Sequence, residues 1–180
     1  SALSKLPIAE IVAQNRPQSE NWPGLILEVT EDQIVRDIAM AKKCAAELKA
    51  SGVTIAIDDF GAGYSSFSSL RDLPFAELKL DGSFVKNCAI DATNAAICQT
   101  AIDLAHRFGS VAVAKGVESM ADLQALVVMG CDFGQGMLVA PPTPKERFLE
   151  LLSQRMNKPR PQAEPVASEP PAVAVADRVA

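Results

Sequence analysis

The sequence predicts an α/β fold in which parallel strands alternate with helices, and three observations lead there. Short apolar or β-branched runs bounded by Gly, Pro or Asp alternate with stretches whose apolar residues recur every three or four positions. Two of those runs, VTIAI from Val53 and VAVA from Val111, are apolar without interruption, as strands covered on both faces are. Hydrophobic residues make up 48% of the 180-residue chain, enough for a real core, and aromatics only 5%, so small aliphatics must fill it. Repeated strand-helix units imply a sheet covered by helices. Two architectures supply this, an open doubly wound sheet and a (β/α)₈ barrel, and both place their sites at the carboxyl ends of the strands.

The elements follow in order. Trp22-Pro23-Gly24 reads as a packing anchor in the loop before the first strand, LILEV at 25–29. Ile34, Ile38, Ala41, Ala45 and Leu48 form one stripe of a helix over 32–50. The second strand is VTIAIDDF at 53–60 and the third AELKLD at 76–81. A helix over 92–108 carries Ile97, Ala101, Leu104, Ala105 and Phe108, and VAVAKGV at 111–117 and FGQGMLV at 133–139 are the last strands. Thr30 with Gln33, Ser119 with Asp122, and Thr143-Pro144 with Glu146 mark helix starts, the last with proline at the first helical position. His106 lies near a helix end, where a cation complements the dipole, and reads as structural. The serines of GYSSFSSL have no neighbouring histidine to make one a nucleophile. From residue 157 the text is rich in proline without apolar periodicity, so residues 1–156 are expected to fold and 157–180 to form a disordered tail.

Composition excludes several classes. The net charge is -5, with no basic stripe to track a phosphate backbone, so no nucleic acid partner is expected. The apolar runs are too short to span a membrane. The four cysteines lack C-x-x-C spacing and fit small core residues in a reducing, cytoplasmic setting.

At the strand ends stand Glu28, Asp58 and Asp59, Lys79 and Asp81, Lys115 and Glu118, and Gln135. Adjacent carboxylates repel, and burial raises the cost. A divalent cation removes it, and a carboxylate bridging two ions suits a two-metal phosphoryl displacement. The alternative is that one aspartate only caps the following turn.

LILEVTED, VTIAIDDFGAGYSS, ELKLDGSFV, VAVAKGVES and GCDFGQGMLVAPP, taken in that order, resemble successive motifs of the EAL domain, the cyclic di-GMP phosphodiesterase module of bacterial signalling proteins. The resemblance runs from about residue 25 to 150 and implies a modified TIM barrel, hydrolysing the dinucleotide to linear pGpG with two Mg²⁺ or Mn²⁺ ions. It also implies roles. Glu28 and Asp58 would hold the first metal, with Asp58 bridging, and Asp59 the second. Lys79 would orient the attacking water or the phosphate. Glu118 would hold the loop after the DDFG strand, where Gly61 and Gly63 lie, and Asp81 and Gln135 would belong to the ligand site. SKLPIAEIVAQNRP resembles the helix before the LILEV strand, with Leu6, Ile8, Ile11 and Val12 on its apolar side. Gly82, where arginine or lysine is common, and Ala62, where threonine is, depart mildly from the pattern.

Two departures are severe. Neither a Glu-Ala-Leu triplet nor the family's Asn-Leu-Ser strand occurs, so two ligands of the first metal are missing, and the expected architecture is a partial (β/α) barrel lacking its first strands. And VAVAKGVES places Lys115 where the family has a glutamate that serves the second metal and is proposed as general base. At ~5 Å and an effective dielectric of about 20, unit charges interact by roughly 3 kcal/mol, and a divalent ion doubles that. Glu-to-Lys exchange turns that attraction into repulsion, and the ammonium is expected to fold toward Asp59 or Glu118 as a protonated cation and no base. The expectation is a degenerate EAL-type domain without phosphodiesterase activity, binding cyclic di-GMP or a protein partner, with homodimerisation as one way to cover open strand edges. The alternative is an active enzyme whose site is completed by residues upstream.

Overall fold

The computed structural model of the chain describes residues 7–17, 19, 22–36, 38–62, 71 and 73–156. The chain divides into two compact units, residues 1–142 and 143–180. The first contains β1 (Leu25–Thr30), β2 (Val53–Phe60), β3 (Glu77–Leu80), β4 (Val111–Lys115) and β5 (Phe133–Gln135). Its helices are α1 (Ile8–Asn15), α2 (Glu31–Arg36), α3 (Ile38–Ala50), α4 (Gly82–Val85), α5 (Ala92–Arg107) and α6 (Met120–Val128). The second contains α7 (Lys145–Met156), with the Pro144 carbonyl accepting from the Phe148 N–H; the proline thus stands just before the first helical residue rather than on it. The proline-rich segment 157–180, Leu6 and Gly63 lie outside the described residues.

All four strand pairings are parallel and the sheet order is β1-β2-β3-β4-β5. A doubly wound sheet reverses its strand order at a switch point. This one never does, so of the two predicted architectures the sheet has the sequential winding of a (β/α) barrel. Among the described residues it has five strands, a partial barrel.

Register partners in a parallel ladder point to the same face, and successive residues alternate. Two faces follow. Toward the helices lie Val29, Ile55, Ile57, Leu78, Leu80, Ala112 and Ala114, in one core with Ile34, Ala41, Ala45, Ala101, Ile102 and Leu126. Alanines on the helices let them approach the sheet closely, as the low aromatic content foretells. On the other, inner face the register aligns Glu28 with Ala56, Thr30 with Asp58, Lys79 with Val113, and Lys115 with Gln135.

Some boundaries and faces differ from expectation. Helix covers 31–36 and 38–50, with residue 37 outside the described residues, and Thr30, the last residue of β1, stands directly before the first helical residue. The buried stripe of α5 is Cys98, Ala101, Ile102 and Ala105, rotated by one position because Cys98 packs as an apolar residue while Ile97 and Leu104 flank it. Strand β5 ends at Gln135 because the backbone of Gly136 crosses Val117 closely: a Cβ on Gly136 would stand 2.3 Å from the Val117 carbonyl oxygen. Trp22 anchors its loop as expected, covering Gly52, with the Arg16 guanidinium 5.9 Å from its ring centroid. His106 Nε2 donates to Asp132 Oδ2 at 2.8 Å, and the same oxygen takes the Ala112 N–H, which makes the pair structural. Burial raises the Asp132 carboxyl, but these two hydrogen bonds outweigh it and hold the group below its usual range.

Candidate functional site

In a regular strand Asp58 and Asp59 would project to opposite faces. The β2–β3 register shifts between Ile57 and Phe60, and Asp59 takes a left-handed backbone, φ 53°. That bulge turns both carboxylates to the same side. Lys115, at the end of β4, meets them there: its Nζ donates to Asp58 Oδ1 and to Asp59 Oδ1, each at 2.6 Å. Strand β3 lies between β2 and β4, so these bonds join strands that are not neighbours. Burial disfavours the charge on Lys115, but hydrogen bonds to the two aspartates more than offset it and hold the ammonium above the ordinary lysine range.

Lys79 shows the same pairing once more. Its side chain is 5% exposed, and its ammonium donates to Glu28 on β1, whose carboxylate is half exposed. Asp81 is spent locally, as the cap of α4, accepting from the Ser83 N–H at 2.8 Å and the Ser83 hydroxyl at 2.5 Å. The hydroxyl bond, opposed by burial and helped by the Ser83 N–H and the Lys115 charge, lowers the Asp81 carboxyl. Gln135 is exposed beside Lys115 in the β4–β5 ladder.

Glu118 is exposed, and among the described residues it makes no hydrogen bond to the turn after β2. The carboxylate that takes that turn is Glu31, 4% exposed, whose Oε2 accepts the Gly61 N–H at 3.0 Å. Nothing in the sequence singles Glu31 out. An acid following a threonine at a helix start reads as a dipole partner, and only the fold shows it reaching across to another strand's loop.

The carboxylates that the resemblance assigns to metals are therefore already divided between two ammonium groups: Glu28 with Lys79, Asp58 and Asp59 with Lys115. Among the described residues no three His, Cys, Asp or Glu side chains converge as a metal cluster. The donor set does not fit a two-ion centre, because a fixed cation stands between the two aspartates where an ion would need them both.

A family model described as EAL domain matches residues 4–142. The bifunctional diguanylate cyclase/cyclic di-GMP phosphodiesterase MucR of Pseudomonas aeruginosa is 42% identical over 125 residues, which is 69% of this chain and 18% of that protein. The chain thus spans less than a fifth of that relative's length. The crystal structure of the EAL domain of Mycobacterium smegmatis DcpA matches with a TM-score of 0.74 at 34% identity, covering 84% of this chain and 66% of that one. BlrP1 of Klebsiella pneumoniae, solved as a manganese complex with cyclic di-GMP, matches with a TM-score of 0.59 at 33% identity over 63% of this chain and 29% of its own.

Proposed function

The chain belongs to the EAL domain family, and we propose that it serves cyclic di-GMP signalling as a member without phosphodiesterase activity, acting by binding the nucleotide or a protein partner. One observation carries this reading: the Lys115 ammonium lies 2.6 Å from both Asp58 and Asp59. With these carboxylates satisfied by a tethered charge, a second divalent ion meets repulsion of a few kcal/mol where it needs attraction. Lys115 itself, protonated and with its donors engaged, has no lone pair with which to take a proton from water.

Any metal that the domain retains is Mg²⁺ or Mn²⁺ in this reading, the manganese complex of BlrP1 being the supporting case. A cytoplasmic setting belongs to the same proposal, supported by four free cysteines. Among the described residues no helix is long and apolar enough to cross a membrane.

The rival reading is metal-dependent hydrolysis, favoured by a relative named as a phosphodiesterase. Chromatographic assay of cyclic di-GMP with Mg²⁺ or Mn²⁺ separates the two. No linear product is expected from the parent protein, and turnover that disappears in Asp58→Ala would overturn the proposal. Calorimetric titration with cyclic di-GMP then divides its two branches: heat of binding places the nucleotide in the site, and its absence leaves a protein partner or a second copy of the chain.

A further inference from the structure

Asp58 and Asp59 create a structural problem besides a catalytic one. The bulge sets two carboxylates side by side, and it does so through a left-handed non-glycine residue, a conformation that persists only when its surroundings hold it. The turn that follows is fastened at three points. The Asp59 carbonyl accepts the Ala62 N–H at 3.3 Å, Glu31 accepts the Gly61 N–H at 3.0 Å, and Lys115 holds the Asp59 carboxylate at 2.6 Å. Phe84 backs the turn, lying where a Cβ on Gly61 would come within 3.0 Å of its ring. Of these fastenings only the Lys115 bond supplies a positive charge. It reaches from β4 past β3 to β2, so it also clamps two strands that share no backbone hydrogen bond.

We infer that the Lys115 ammonium replaces a divalent ion as the structural cation of this strand edge, so that the turn from Asp59 to Ala62 is held in one arrangement with or without metal. This rests on the reading of Lys115 as occupant of the cation's place, though not on the absence of hydrolysis. An ion from solution stabilises its site in proportion to the logarithm of its concentration over its Kd. A side chain carries no such dependence, since the cation is part of the chain. The turn therefore presents one constant surface to whatever docks there, and Lys115 is a positioning residue for it.

Amide hydrogen exchange of Gly61 and Ala62, followed by ¹⁵N NMR on the 180-residue chain, tests this. In the parent protein the two amides should exchange at the same rate, within about twofold, in EDTA and in millimolar Mg²⁺. In Lys115→Met they should exchange about tenfold or more faster in both conditions, while the Ile102 amide in α5 reports an intact core. In Lys115→Glu they should be slow only with Mg²⁺. A parent protein whose Gly61 amide slows about tenfold on adding Mg²⁺ overturns the inference, even if neither variant folds. So does a Lys115→Met protein as protected as the parent in EDTA, or a Lys115→Glu protein protected without metal. Hydrolysis of cyclic di-GMP by the parent with amides indifferent to EDTA would sink the proposed function and leave this inference standing.

Discussion

On its helix-facing side the sheet presents Ile57, Leu78 and Ala114, each fully buried, whereas on its inner side the same three strands present Asp58, Lys79 and Lys115. Neighbouring residues of one strand thus belong to two different regimes. The outer face is stabilised by apolar burial, which is additive and tolerant of chemistry as long as volume is kept. The inner face is held by charge pairing, where the identity of one residue decides whether its neighbours are satisfied or exposed to repulsion. A change of sign at Lys115 leaves the apolar core untouched and takes from Asp58 and Asp59 the ammonium that pairs them.

The largest stability effect should come from the outer face. Leu78→Ala removes a fully buried side chain from the core and should cost about 3 kcal/mol, read as a lower urea midpoint with little change in m-value. That loss should be the same with and without Mg²⁺. A metal-dependent loss would mean that the two faces are not separate in energy.

Lys115→Met should cost less, about 1 to 2 kcal/mol, because the aspartates it leaves unpaired are partly solvated and can be screened. Unlike the Leu78 effect, this one should shrink in high salt. Its pH dependence has a definite sign. The Lys115 pKa is raised on folding by its bonds to Asp58 and Asp59, burial opposing. A group of this kind contributes stability that is fully present below its unfolded pKa, near 10.5, and lost as pH rises through the folded value. The stability difference between the parent and Lys115→Met should accordingly be flat near neutral pH and fall above about pH 10.5. A difference that instead collapses between pH 5 and 8 would assign the effect to some other group.

The two faces also differ in how readily they are legible from the sequence. All five strands follow from short apolar or β-branched runs bounded by turn residues, and the stripes of Ala41, Ala45 and Leu48 on one helix and Ala101 and Ala105 on another follow from helical periodicity, which repeats whatever its residues are. Lys115 is legible for the opposite reason, as a charge interrupting an apolar run. The pairing of Asp58 with Asp59 on one side is not legible, since strict alternation puts them on opposite faces and only the bulge reunites them. Glu31 is hidden by a simpler role at a helix start, and the one-position rotation of α5 comes from Cys98, a small core residue that the stripe of Ile97, Ala101, Leu104, Ala105 and Phe108 leaves out. The end of β5 is not legible, since no local signal announces that Gly136 must pass Val117.

The smallest effect distinguishes a polar residue that belongs to the core from the charges of the inner face. Ser119 caps α6, accepting the Asp122 N–H at 3.0 Å while its hydroxyl donates to Asp122 Oδ2 at 2.7 Å. Aspartate is an unusual partner in such a box, yet here it is 6% exposed and its other oxygen accepts the Ala89 N–H at 3.1 Å, which ties α6 to the segment before α5. Burial raises the Asp122 carboxyl, and the bonds from Ser119 and the backbone outweigh it, leaving the pKa lowered from 3.8. A carboxylate of this kind adds stability above its unfolded pKa and loses it as pH falls through the folded value. Ser119→Ala should cost about 1 kcal/mol at neutral pH, by losing the cap and one of the bonds to Asp122. Because the variant weakens the interaction that favours ionised Asp122, the difference from the parent should narrow as pH falls below about 3.8. Salt separates the two: the Ser119 effect is a hydrogen-bonding one inside the fold and should survive high ionic strength, whereas that of Lys115 should not. Equal salt sensitivity at both sites would mean that Asp122 behaves as an inner-face charge and not as part of the core.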